Sequence, residues 1–252
     1  MFASLPDLST VAVLVVGALF AGFAVGFAGF GTGLVASGIW LYAVPPAAVP
    51  PLVVLSSVAG QLVGLVTVRR AFDWTQTLPY LVGGVIGVPL GVAALAAASP
   101  FVIKAAVGGF LIAYSLYQLF HRANYEIGRW GGRIADTIVG VGGGLLGGFA
   151  GLSGPLPLIW LQLRGGPIDN QRAAYQPFNL IVLAFTAVVM AIDGQMTPEV
   201  LTVSLVSLPA TLIGAAIGAR VYVGVSVRSF QRVVLCLLLI SGCVLIGSTF
   251  SR

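Results

Sequence analysis

Apolar residues run along this chain in long blocks broken by short polar or Pro/Gly-containing stretches, with no sustained alternation of the kind a half-buried strand requires. In the first half the blocks are Val11 to Ala28, Leu34 to Val44, Pro51 to Val68, Thr77 to Ala97 and Phe101 to Phe120. In the second they are Ile134 to Ala150, Pro155 to Leu163, Ala173 to Ile192, Val200 to Ala219 and Phe230 to Gly247. His121 to Arg133, the only long polar stretch, divides the two sets. The pattern predicts about ten helical segments in two halves: a first repeat over 1–122, a linker over 123–133 and a second repeat over 134–252.

The halves resemble each other where the pattern is interrupted. Gly26-Phe27-Ala28-Gly29-Phe30 matches Gly148-Phe149-Ala150-Gly151-Leu152 at an offset of 122. Each leads into a break inside an apolar run, Gly29-Phe30-Gly31-Thr32-Gly33 and Gly151-Leu152-Ser153-Gly154-Pro155, where a helix is not expected to continue. Gly87-Val88-Pro89-Leu90-Gly91 matches Gly214-Ala215-Ala216-Ile217-Gly218 at an offset of 127, so about five residues were gained between, assigned here to the loop Gly165 to Asn170. Both contain small-xxx-small pairs, which let helix backbones approach closely in lipid. Gly142-Gly143-Gly144 with Gly147-Gly148 reads the same way.

Composition turns this pattern into a membrane protein. Of the 252 residues 58% are apolar and 8% charged, and the mean hydropathy is +1.06. A soluble domain carries about a quarter of its residues charged. The net charge of +5 reflects basic residues at the ends of the apolar blocks, which points to membrane orientation rather than a nucleic-acid surface. Met1 to Thr10 has no Lys or Arg, so it does not read as a cleavable signal.

Counting basic residues selects a topology. If 11–44 and 134–163 each cross once, Arg and Lys divide six to six between the two sides, which gives no bias. If each folds back at its glycine break, ten fall on one side, and only Lys104 and Arg252 on the other. The positive-inside rule selects the second scheme. Each half is then a re-entrant hairpin plus three spans, an odd number of passes, so the second half is inverted relative to the first. The fold expected is an all-α polytopic membrane protein of two inverted repeats with both termini periplasmic, a plan shared by many secondary transporters.

Irregular backbone at membrane depth needs a protein or water-filled cavity around it. The two breaks therefore predict a site, with the returning helices directing N–H groups and positive dipole ends at one spot, a geometry that attracts anions. Thr32 and Ser153 are expected to act as N-caps, with Pro155 at the first helical position. Gly31, Gly33 and Gly154 complete the turns, and the following helices offer Ser56, Ser57 and Gln61 in the first half, Arg172, Gln176 and Asn179 in the second. Arg172 is either a substrate contact or a positive-inside anchor.

Asp73, Asp136, Asp169, Asp193 and Glu199 all fall in loops or near helix ends, whereas a cation substrate or a proton relay usually needs a carboxylate within a span. His121 is the sole histidine, and Cys236 and Cys243 lie seven apart in the last block. No nucleophile-and-base set and no metal set can be assembled from these, so no enzyme activity, cofactor or metal is expected. Gly29-x-Gly31-x-Gly33 follows no strand and is not a dinucleotide loop. The partners expected are a small anion and the lipid bilayer, with a homo-oligomer left open.

The second break, through Pro157, and the stretch Gln171-Arg172-Ala173-Ala174-Tyr175-Gln176-Pro177-Phe178-Asn179-Leu180 together resemble the TauE/SafE family of sulfite and sulfonate exporters. The resemblance covers nearly the whole chain. It implies a bacterial inner-membrane carrier of small sulfur-containing anions such as sulfite or sulfoacetate. Thr32 between two glycines, and Ser153-Gly154-Pro155 in place of a purely glycine turn, depart from the commoner pattern. The alternatives are a passive anion channel or a carrier of another small organic anion.

Overall fold

The computed structural model describes residues 7–67, 73–120, 127–128, 130–221 and 227–250, without the side chains of 64–67, 168–169, 227–231 and 233. Arg69, Arg70, His121, Arg122, Arg129, Arg252 and the side chains of Asp169 and Arg228 lie outside these described residues, as do 123–126 of the 123–133 linker.

Among the described residues there are ten α-helices and no strand. The first half holds α1 (Leu8–Ala28), α2 (Thr32–Trp40), a 3-10 turn (Pro46–Ala48), α3 (Val49–Thr67), α4 (Trp74–Ala97) and α5 (Pro100–Phe120). The second holds α6 (Gly132–Ala150), α7 (Pro155–Arg164), α8 (Ile168–Ile192), α9 (Pro198–Val221) and α10 (Val227–Phe250). Six of the described helical stretches, in α1, α3, α4, α5, α8 and α9, are long and apolar enough to cross a membrane. Leu78, Val82, Ile86 and Leu90 on α4, and Leu205, Ile213 and Ile217 on α9, are exposed. Such apolar faces fit lipid rather than water.

Both breaks fold back. α1 ends at Gly29, whose φ of 78° is left-handed and whose N–H reaches Val25 O; α6 ends in the same way at Gly151, φ 71°. A left-handed residue at this position satisfies the last carbonyls and turns the chain away from the helix axis, which only glycine does without strain. Trp40, at the end of α2, donates its indole N–H to Leu14 O at 3.2 Å. Trp160 on α7 donates to Asp136 Oδ1 at 2.8 Å. Leu14 and Asp136 are equivalent at the offset of 122, so each hairpin is latched at its base by a tryptophan.

The two halves interlock through glycine stripes. A Cβ built on Gly83, Gly87 or Gly91 of α4 would fall 2.0–2.1 Å from the carbonyl oxygens of Thr137, Val141 and Leu145 on α6. On Gly22 and Gly26 of α1 it would meet Thr211 O and Ala215 O of α9 at 2.1 Å. These are mirrored contacts: α4 lies parallel along α6 as α9 does along α1. α5 and α10 cross antiparallel, with Phe101 against Phe250 at 5.3 Å between ring centroids and Gly108 beside Gly242. That direction fits the fold-back scheme, because single-span breaks would leave α5 and α10 parallel.

The contacts also relocate the gained residues. Gly29 packs against Tyr175 and Gln176 as Gly151 packs against Val53 and Val54, so the offset of 122 persists into α8. It becomes 127 by α9. The five residues were gained between Val182 of α8 and Thr211 of α9, not in the loop Gly165 to Asn170.

Candidate functional site

The hairpin tips meet in the interior. A Cβ on Gly33 would fall 2.6 Å from Gly151 O, so glycine is what lets the second tip touch the start of α2. Between them lies a cavity walled by Phe30, Gly31, Thr32, Gly33 and Leu34 of the first hairpin, and by Gly151, Leu152, Ser153, Gly154 and Pro155 of the second. Ser57 and Gln61 of α3 and Asn179 and Leu183 of α8 complete it. About 20 Å³ is open to the centre of a water molecule, room for about one.

The capping expectation is corrected. Gly31, left-handed at φ 102°, is the N-cap of α2 and Thr32 its first residue; Gly154 is the N-cap of α7. A side-chain cap needs a β-region residue at that position, and these turns pass through conformations that rule it out. Ser153 Oγ donates instead to Asn179 Oδ1 at 2.8 Å. Pro155 does sit at the first turn of α7.

The freed hydroxyls give the cavity its chemistry. Thr32 Oγ1 and Ser57 Oγ are buried without a hydrogen-bond partner, at a cost of about 1–3 kcal/mol each. The first intrahelical bond of α2 runs from Val35 N–H to Gly31 O, so the N–H groups of Thr32, Gly33 and Leu34 have no acceptor within the helix. In α7 prolines at 155 and 157 remove two such donors. The donor surface is therefore concentrated on the first hairpin, and no carboxylate lines the cavity.

The other candidates sit elsewhere. Ser56 is fully buried on α3 with a partnerless hydroxyl, yet is not in the cavity wall. Arg172 and Gln176 also lie outside it. Arg172 Nη2 donates to Phe27 O at 3.1 Å, and Tyr175 OH to Ala28 O at 2.9 Å, so α8 holds the carboxyl end of α1 with a cation and a phenol. A cation there suits the negative end of the helix dipole. Gln61 Nε2 reaches Gly29 O at 3.4 Å from α3. Tyr175, which was not singled out from sequence, lies within the Gln171 to Leu180 stretch that carried the resemblance.

Asp136 lies near the amino end of α6, as its end-of-helix reading expects, and is charge-paired there. It is buried on α6, 3.1 Å from Arg164 Nη1, and Arg164 also donates to Gly132 O at 2.8 Å and lies over the Trp160 ring. This cluster closes the base of the second hairpin. Cys236 and Cys243 are free and exposed on α10.

With two hairpin tips facing each other across a donor-lined cavity, the chain matches the family described as Sulfite exporter TauE/SafE over residues 14–245. It belongs to the TauE/SafE family. Comparison with curated proteins and with solved structures finds no match. TauE/SafE membership and the apolar helices make this a multi-pass membrane protein of a transporter family whose substrates are small anions.

Proposed function

We propose that this protein exports sulfite or small organosulfonates of the sulfoacetate type by alternating access, with 1–122 and 134–252 rocking about the cavity between the hairpin tips. The observation that carries the reading is the pair of partnerless buried hydroxyls, Thr32 and Ser57, beside the amino end of α2. Sulfite and sulfonate present acceptor oxygens and negative charge. Free hydroxyls, free amides and a positive dipole end complement them, and the lining offers no carboxylate to repel them. The narrowness of the cavity favours a carrier over an open anion channel, because an organic anion needs the tips to part.

The arginine bias supports an orientation with both termini periplasmic in a bacterial inner membrane. Export of a monovalent anion down a negative-inside potential gains about 2.3 kcal/mol per 100 mV, so it needs no coupling ion. The test is flux of sulfite, sulfoacetate, taurine, thiosulfate and acetate into liposomes holding the purified protein. Saturable flux of sulfite or sulfoacetate is expected. Flux rising linearly with concentration supports the channel instead, and absence of flux for every anion defeats the reading.

A further inference from the structure

A second, larger cavity opens where α3 and α9 begin and α4 ends. It has about 320 Å³ open to the centre of a water molecule; Leu52, Leu95, Val200 and Val203 are among its walls, and Gln195, Thr197 and the carboxylate-bearing Glu199 also line it. Val200 and Val203 begin a buried stripe on α9 that continues through Ser204, Ser207 and Thr211. At its far end, a Cβ on Gly60 of α3 would lie 3.4 Å from Thr211 Cγ2 and 3.8 Å from Thr32 Oγ1. The stripe thus joins the vestibule to the cavity between the tips. Its hydroxyls donate to carbonyls of their own helix, Ser204 to Leu201 O, Ser207 to Ser204 O and Thr211 to Ser207 O. Each O–H can swing from such a bond towards a passing anion, since a bond of this kind is worth only about 1 kcal/mol net. Ser56, on the facing helix, has no partner to give up.

The mirrored seam between α4 and α8 is built differently. The repeat offsets carry Ser204, Ser207 and Thr211 onto Thr77, Tyr80 and Gly84, and Ser56 and Gly60 onto Phe178 and Val182. The contacts follow this mapping: a Cβ on Gly84 would meet Val182 Cγ2 at 2.6 Å, as one on Gly60 would approach Thr211. Where the vestibule side has two serines, this side has two fully buried rings, Tyr80 and Phe178, edge to face at 6.2 Å. Phe178 is also moored to the second hairpin, with Cζ 3.1 Å from where Gly143 would carry a Cβ.

We propose that the substrate path runs along the α3/α9 hydroxyl stripe to the vestibule, and that Tyr80 and Phe178 form the gate that shuts its mirror image between α4 and α8. This rests on the transport reading above and assigns the two seams unequal roles: one is lined by small buried hydroxyl residues that lead to the vestibule, the other is plugged by rings. Because Phe178 leans on α6, parting the second hairpin from α8 is what frees the gate.

The test uses the full chain with Cys236→Ser and Cys243→Ser, a single Ser207→Cys, and a membrane-impermeant sulfonated maleimide applied to one face of oriented vesicles at a time. Thiol reactivity follows access, so Cys at 207 should react about tenfold faster from the vestibule face than from the opposite one. Adding Tyr80→Ala should make it reactive from both faces. Phe178→Ala serves the same purpose should Tyr80→Ala fail to insert. Absence of labelling from the vestibule face, or labelling that stays one-sided in both ring variants, overturns the gate. Anion flux measured on the same protein separates the two ideas. Flux without the labelling pattern defeats only the gate, and the pattern without flux of any anion defeats only the transport reading.

Discussion

At the scale of single residues, the site is made of groups the fold leaves unsatisfied. Thr32→Val removes the hydroxyl and keeps the shape, so sulfite flux should fall about tenfold while the melting temperature holds or rises, because an orphaned buried hydroxyl costs about 1–3 kcal/mol. Parallel flux and thermal-melt measurements check both halves of that expectation; a loss of stability without loss of flux would remove Thr32 from the site. Ser153→Ala should behave oppositely, because it strips Asn179 Oδ1 of its donor at 2.8 Å and should cost about 1 kcal/mol. Residue types alone identified Thr32, Ser57, Gln61, Ser153 and Asn179 as polar groups near the breaks. They could not tell a cap from a free hydroxyl, because that depends on the backbone conformation of Gly31 and Gly154. Arg172 was equally undecided in sequence. Its bond to Phe27 O makes it a clamp on the carboxyl end of α1, a role that needs a partner 145 residues away.

At the scale of elements, glycine stripes decide which helices touch. Gly144 lies against the α4 backbone, where a Cβ would come within 2.3 Å of Gly84 O, whereas Gly109 on α5 has nothing within 4 Å. Gly144→Val should therefore force α4 from α6 and lower the yield of folded protein, with a loss of about 1–3 kcal/mol as in other overpacked sites. Gly109→Ala should be neutral or stabilise by up to about 1 kcal/mol. Detergent-resistant folding, followed by melting or gel filtration, distinguishes them. The helices and the small-residue pairs were legible in the sequence because period and residue size are local properties. Which stripe met which was not, since Gly87 is as well suited to meet another copy of itself as to meet Val141.

At the scale of the whole molecule, the fold-back hairpins make a strong prediction about sidedness. In the chain free of Cys236 and Cys243, single cysteines at Ser9 and Ala47 should be labelled from the same face, and one at Asn170 from the other. Labelling of Ser9 and Ala47 from opposite faces would turn α1 and α2 into one span and remove the tip-to-tip cavity. By itself the sequence determined the solvent, the helices, the two breaks and their duplication, because each follows from composition and from spacing along the chain. Tertiary structure alone decided the rest: which hydroxyls stay unpaired, that α8 clamps α1, and that one seam is lined by hydroxyls while its mirror is filled by rings. Those outcomes depend on contacts between different helices, many of them far apart in the chain, and near-equal local sequences such as Gly26 to Phe30 and Gly148 to Leu152 carry no record of what faces them.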